Sequence, residues 1–164
     1  MSSDAPDSAP ENAAATAGAV HLALLGRGET VGCAESLTGG ELAALLSGTP
    51  GASATFVGGV VSYATQVKRD LLAVSADRVV SADCAAQMAL GVRTLLRVEW
   101  ALSTTGVAGP DEQEGQAVGT VYVAMAGPHG VRSTRLSFEG DRAAIRSAAC
   151  SSALALLLSE VSNG

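Results

Sequence analysis

Residues 29–48 read ETVGCAESLTGGELAALLSG. The first eight form a short apolar run with polar ends, which suits a buried strand. The following LTGGELAALLSG places Leu42, Leu45 and Leu46 on one side of a helix. A buried strand that turns directly into a helix is the building unit of an α/β domain. Ser36 stands at the junction and has two readings. It is a helix N-cap, or it is a nucleophile at a strand-to-helix turn whose free N–H groups face a ligand.

The same grammar extends in both directions. Upstream, Val20, Leu24 and Leu25 have helical spacing up to Arg27, and Gly28 closes that helix. Residues 1–15, rich in Ser, Ala, Pro and acid, are expected to form a disordered tail, leaving 16–164 as one domain. Downstream, ATFVGGVVSYA predicts a second strand and TQVKRDLLAV a short helix. Ser81 caps a longer helix with an apolar stripe of Ala85, Met88, Ala89, Val92, Leu95 and Leu96. WALSTTGVAGP is a third strand that runs into a glycine-rich loop. AVGTVYVAMAG and GVRSTRLSFEG form a hairpin, and Asp141 caps the closing helix. The pattern predicts a three-layer α/β/α domain with a mixed, mostly parallel sheet of about five strands.

Composition narrows the function. The 164 residues are 48% hydrophobic but 3% aromatic, so the core must be built from Ala, Val and Leu. The net charge of −6 and the lack of a basic block argue against a nucleic-acid partner. No apolar run reaches the roughly 18 residues of a bilayer span, and no membrane partner is expected. Asp4, Asp7 and Glu11 stand where a signal peptide would be basic and then apolar, so a cytoplasmic protein is expected. Cys33, Cys84 and Cys150 are widely spaced and suggest neither disulfides nor zinc. His21 falls in a helix and His129 in a turn, which gives a Ser-His-Asp triad little support. The apolar last helix, with Leu154, Leu156, Leu157 and Leu158, suggests a homodimer.

Three segments should converge at the carboxyl ends of the strands: 35–40, 63–68 and 104–109. Lys68 is the only lysine in the chain. It is a solvated charge, or it is a base whose pKa is lowered from its ordinary ~10.4. Tyr63, five residues earlier, either assists the pair or packs with a wet hydroxyl. TTGVAGPDEQEG is neither a P-loop nor G-x-G-x-x-G, but it offers amides and hydroxyls to an anion. Asp111, Glu112 and Glu114 read as a solvated loop. Arg142, next to the Asp141 cap, reads as a phosphate ligand or as half of a surface ion pair.

Five segments in order, AESLTGG (34–40), GGVVSYATQVKRDLLAV (58–74), TTGVAGPD (104–111), VGTVYVA (118–124) and FEGDRAAIR (138–146), resemble the CinA C-terminal domain family. Its active members are nicotinamide mononucleotide deamidases, and its proteins carry competence/damage-inducible names. The resemblance implies a serine–lysine amidohydrolase in its stand-alone form, with Ser36 as nucleophile, Lys68 as base and Tyr63 assisting. The substrate would be nicotinamide mononucleotide, a small nucleotide, with no metal and no organic cofactor. Amides around Thr38, Gly39 and Gly40 would bind the oxyanion; Thr105, Gly106, Gly109 and Arg142 would bind the ribose phosphate. The chain departs from the family's habit at Leu37, at Ala64-Thr65-Gln66-Val67 and at Ala82. Two other functions fit the same pocket: a nucleotide-binding relative without catalysis, and an amidohydrolase for another small amide.

Overall fold

The computed structural model describes residues 9–164. β1 (Val31–Glu35), β2 (Phe56–Val61), β3 (Trp100–Gly106), β4 (Thr120–Gly127) and β5 (Gly130–Ser137) form one sheet in the order β2-β1-β3-β4-β5. β1 pairs in parallel with both β2 and β3, and β4 is antiparallel to β3 and β5. Four of the five strands therefore run in one direction. The helices are α1 (Ala9–Arg27), α2 (Glu41–Ser47), α3 (Thr65–Leu72), α4 (Ala82–Leu96) and α5 (Arg142–Ser162).

Strand alternation builds the three layers. On β4, Val121, Val123 and Met125 share one core with Val20 and Leu24 of α1, Leu42 of α2 and Leu154 and Leu157 of α5. Tyr122, Ala124 and Ala126 face the other way, onto Leu72 of α3 and Met88, Ala89 and Val92 of α4. That second face is made of small residues, including Ala34 and Ala101, so α4 lies close to the sheet. A buried hydroxyl there, on Ser103, donates to Ala85 O at 2.6 Å. β1 is buried along its whole length, as a strand covered by helices on both faces must be.

Three expectations change. The tail expected over 1–15 lies outside the described residues only as far as residue 8. Residues 9–15 begin α1, and Ala13 is already buried in the core. An alanine-rich stretch has high helix propensity, and its small side chains let α1 pack along α5. The helix expected from Leu37 begins at Glu41, because Gly39 and Gly40 hold left-handed φ values of 56° and 106° that no helix continues through. Finally, α5 is long and apolar enough in composition to cross a bilayer, but it is a core helix. Leu154 and Leu157 are fully buried, and Leu156 and Leu158 pack against the same core. Leu154 and Leu157 are thus already covered, while Leu156 and Leu158 are half-buried. The exposed apolar side chains are spread over α1, β2, α3, α4 and β5, with Leu22 at 68%, Leu71 at 47% and Leu95 at 44% exposure.

α3 carries Lys68, and its seat against α4 depends on Gly91. A Cβ there would come 2.1 Å from Leu72 O. Gly91→Ala raises helix propensity, yet it must push α3 away. The expected outcome is a net loss of about 1–3 kcal/mol, measured by urea denaturation.

Candidate active site

The ends of the three parallel strands are level. Glu35 is in register with Val61 on one side and Thr104 on the other. The connections from β1 to β2 and from β2 to β3 pass on opposite faces, so the sheet reverses its winding at β1. An open α/β sheet binds its ligand at that point. Ser36, Ser62 and Thr105, each the next residue of its chain segment, stand side by side there.

Lys68 is 1% exposed. Its Nζ lies 2.8 Å from Ser36 Oγ, 2.6 Å from Ser62 O and 3.2 Å from Tyr63 O. No carboxylate pairs with it among the described residues. Burial pushes its pKa below the ordinary lysine value, partly opposed by Cys84 and Glu114. As the ammonium, Lys68 donates to all three oxygens; as the free amine it donates to the two carbonyls and accepts from the Ser36 hydroxyl. The Cys84 thiol beneath is itself pushed up to about 11 by burial, so it stays protonated.

Both carbonyls that hold Lys68 belong to the backbone. The departures at Ala64, Thr65 and Gln66 therefore leave its hydrogen bonds intact; Gln66 pairs with Asp70 on the outside of α3. Ala64 supplies no side-chain cap to α3. Ala82 changes no cap either, since Ser81 Oγ accepts from Cys84 N as expected.

Ser36 caps no helix. That task belongs to Glu35, which the sequence reading passed over. Its carboxylate, fully buried, accepts from Leu42 N at 2.8 Å and Ala43 N at 3.1 Å in the first turn of α2. The Glu35 carbonyl accepts from both Ser62 N and Ser62 Oγ. One residue thus ties β1, α2 and the segment that holds Lys68. An acid at the end of a fully buried strand was the signal that could have revealed it.

A cleft of about 130 Å³ opens beside the pair, lined by Ser36, Leu37, Tyr63, Lys68, Thr105, Gly106, Ala108, Gly109 and Arg142 among others. Seven of the expected site residues meet there; Thr38, Gly39 and Gly40 do not line it. Thr38 is fully buried with its hydroxyl 2.7 Å from that of Thr104. Gly39 N donates to Ser36 O, and the amides of α2 are occupied by Glu35. Within this turn Thr38 N and Gly40 N have no acceptor among the described residues, but neither residue lines the cleft. Thr105 is also 1% exposed, with its hydroxyl on Val79 O at 2.5 Å. The Tyr63 hydroxyl meets neither Ser36 nor Lys68: it accepts from Arg142 Nη2 at 2.7 Å. Arg142 Nη1 reaches Gly109 O at 2.6 Å, so this exposed arginine bridges the two rims. It has no carboxylate partner among the described residues, which excludes the surface ion pair.

Two further residues shape the walls. Arg146, one helical turn beyond Arg142, donates to Leu37 O and Thr38 O, both at 3.0 Å. Glu114, expected in solvent, accepts from Val79 N and Val80 N at 3.1 and 2.7 Å and pins the acidic loop to the segment before α4. His21 pairs with Thr55, and neither histidine lines the cleft.

Fold and site define a class: an α/β domain with a buried serine–lysine pair at the point where a mixed sheet reverses its winding. The model of the CinA C-terminal domain matches residues 13–161, and the chain belongs to that family. A CinA-like protein of Frankia casuarinae is 48% identical over 139 residues, covering 82% of this chain and 32% of the relative. A CinA-like protein of Cyanothece is 49% identical over 125 residues, covering 73% and 30%. The chain spans about a third of the length of these curated relatives. Among solved structures, a competence-damaged protein (CinA) superfamily protein from Klebsiella pneumoniae has a TM-score of 0.89 at 32% identity, covering 93% of this chain and 99% of that one. A competence/damage inducible protein from Agrobacterium tumefaciens gives 0.86 at 31%, covering 90% and 94%. The five-stranded α/β fold is the one these structures share.

The two junction residues have opposite expected effects. Glu35→Ala leaves two buried amides without an acceptor and should lower stability by about 2–4 kcal/mol. Ser36→Ala, which removes no cap, should change it by less than about 0.5 kcal/mol. Urea unfolding of both variants checks the pair.

Proposed function

We propose that the chain hydrolyses the carboxamide of nicotinamide mononucleotide, with Ser36 as nucleophile and Lys68 as its base. The observation that carries this reading is the 2.8 Å contact between Ser36 Oγ and a buried lysine that lacks a carboxylate partner. A serine hydroxyl needs a base, and a lysine serves only as the free amine. Burial favours that form.

In the first step, Ser36 Oγ bonds to the carboxamide carbon as its proton passes to Lys68 Nζ. The carbonyl electron pair moves to oxygen. On collapse the C=O re-forms, the C–N bond breaks, and Lys68 returns the proton to the departing nitrogen, which leaves as ammonia. Water then attacks the ester, losing a proton to Lys68, and Ser36 leaves as the restored hydroxyl with nicotinate mononucleotide as product. The cleft has room for a single ring and its carboxamide rather than a whole nucleotide. The ribose phosphate is then held at the rim, where Arg142 offers a planar donor fork suited to phosphate.

Incubation with nicotinamide mononucleotide should release ammonia. Ser36→Ala should abolish release while the protein stays folded. Absence of turnover by the folded wild type would favour a binding protein without catalysis, and release from other small amides alone would move the substrate.

The pH profile tests the base. The neutral fraction of Lys68 grows as pH rises, so kcat should rise and then level off. Because its pKa is lowered, the rise should be centred below the ordinary value of 10.5. Lys68→Arg should be as inactive as Lys68→Met, since a guanidinium keeps its proton. Steady-state kinetics across pH, with both variants, check the assignment; an active Lys68→Arg protein contradicts it.

A further inference from the structure

Two backbone N–H groups at the cleft have no acceptor in the chain among the described residues, and both belong to buried residues. These are Leu37 N and Ala108 N, with Leu37 4% and Ala108 6% exposed. Buried amides are nearly always paired, so two orphans lining one cleft with Ser36 call for a ligand.

Their directions follow from their peptide planes. The Ser36 carbonyl accepts from Gly39 N at 3.1 Å inside the turn. In a trans peptide the N–H points opposite to the C=O, so Leu37 N–H is directed away from the turn. Val107 is fixed in the same manner. Its N–H donates to Thr120 O at 2.9 Å, and its carbonyl accepts from Gly119 N at 2.8 Å. Both bonds face β4. The Ala108 N–H, in the same peptide as the Val107 carbonyl, therefore points to the other side of β3. That is the side of β1, where Ser36 N donates to Thr104 O at 3.0 Å.

The neighbouring carbonyls are turned elsewhere. Leu37 O and Thr38 O are held by Arg146, and Gly109 O by Arg142. The helix start that would otherwise compete for an anion has its amides on the Glu35 carboxylate. Among the buried residues that line the cleft, these two loops leave Leu37 N and Ala108 N unpaired.

We propose that Leu37 N–H and Ala108 N–H form the oxyanion-binding site for acyl transfer at Ser36. The assignment rests on the serine–lysine reading above. It places one donor on the residue after the nucleophile and the other across the cleft on the β3 loop. A negative carbonyl oxygen formed by Ser36 attack lies between them and gains two hydrogen bonds in a water-poor site, with no reorganisation of the protein. Neither donor depends on a side chain.

The direct test is a crystal structure of the wild type with the pyridine-3-carbaldehyde analogue of the nucleotide. Ser36 Oγ adds to the aldehyde carbon, its proton passes to Lys68 Nζ, and the C=O electron pair becomes the oxyanion. The expected result is an oxygen about 2.7–3.1 Å from both nitrogens. An adduct on Ser36 whose oxygen lies beyond hydrogen-bond reach of either nitrogen overturns this proposal and leaves the serine–lysine reading standing. Failure to form an adduct at Ser36 overturns both. Kinetics supply the second arm: Ala108→Pro removes the N–H, and Ala108→Gly keeps it. The glycine variant should retain kcat within about threefold. The proline variant should lose roughly 10²–10³ in kcat with little change in KM. A folded Ala108→Pro protein with near-normal kcat overturns the assignment. If thermal melting shows that the proline variant does not fold, the adduct structure decides.

Discussion

The architecture of the site depends on one buried amine. Lys68 is the only lysine of the chain, and no carboxylate pairs with it among the described residues. A charged ammonium in that position carries a desolvation cost that hydrogen bonds to carbonyls offset only in part. Burial therefore lowers the pKa of Lys68, with Ser36 Oγ, Ser62 O and Tyr63 O around its nitrogen. The surrounding structure serves to keep those three oxygens in place.

Glu35 is the counterpart of this arrangement. Its side chain closes the first turn of α2, while its carbonyl takes two bonds from Ser62. The next residue on one side is the Ser36 hydroxyl, and Ser62 in turn presents the carbonyl to Lys68. The distance between the two reactive atoms is therefore set by a short chain of hydrogen bonds within the sheet ends rather than by flexible side chains. Arg146 and Arg142 extend the same logic from α5, each holding carbonyls of a different cleft wall. Glu114 does so from the acidic loop. Charged side chains that a composition count assigns to solvent act here as braces for backbone.

Much of the fold was legible because it follows local periodicity. The strand-turn-helix of 29–48, the Ser81 and Asp141 caps and the closing hairpin each depend on residues close in sequence. The site was legible in part. Ser36 and Lys68 stand out by residue type and by their place at strand ends. That Thr38, Gly39 and Gly40 do not line the cleft was not legible, because which residues of a glycine-rich turn face a cleft depends on the segments around it. Tyr63 was similarly ambiguous: its carbonyl reaches Lys68, and its hydroxyl reaches Arg142, 79 residues away.

The sequence by itself determined the elements and their order. It determined the apolar faces that sort the helices onto two sides of the sheet. It also determined that Ser36 follows the first strand and that the one lysine falls in the short helix after the second. These properties are periodic or nearest-neighbour and survive in a one-dimensional string. Only the tertiary structure decided that Lys68 is buried without a counter-charge, that Glu35 rather than Ser36 caps α2, and which amides remain unpaired. Each of these is a balance of donors, acceptors and solvent, struck across as few as seven residues for the Glu35 cap, across 32 for the contact of Lys68 with Ser36 and across 109 for that of Arg146 with Leu37. That balance exists only once the chain has closed on itself and the water has gone.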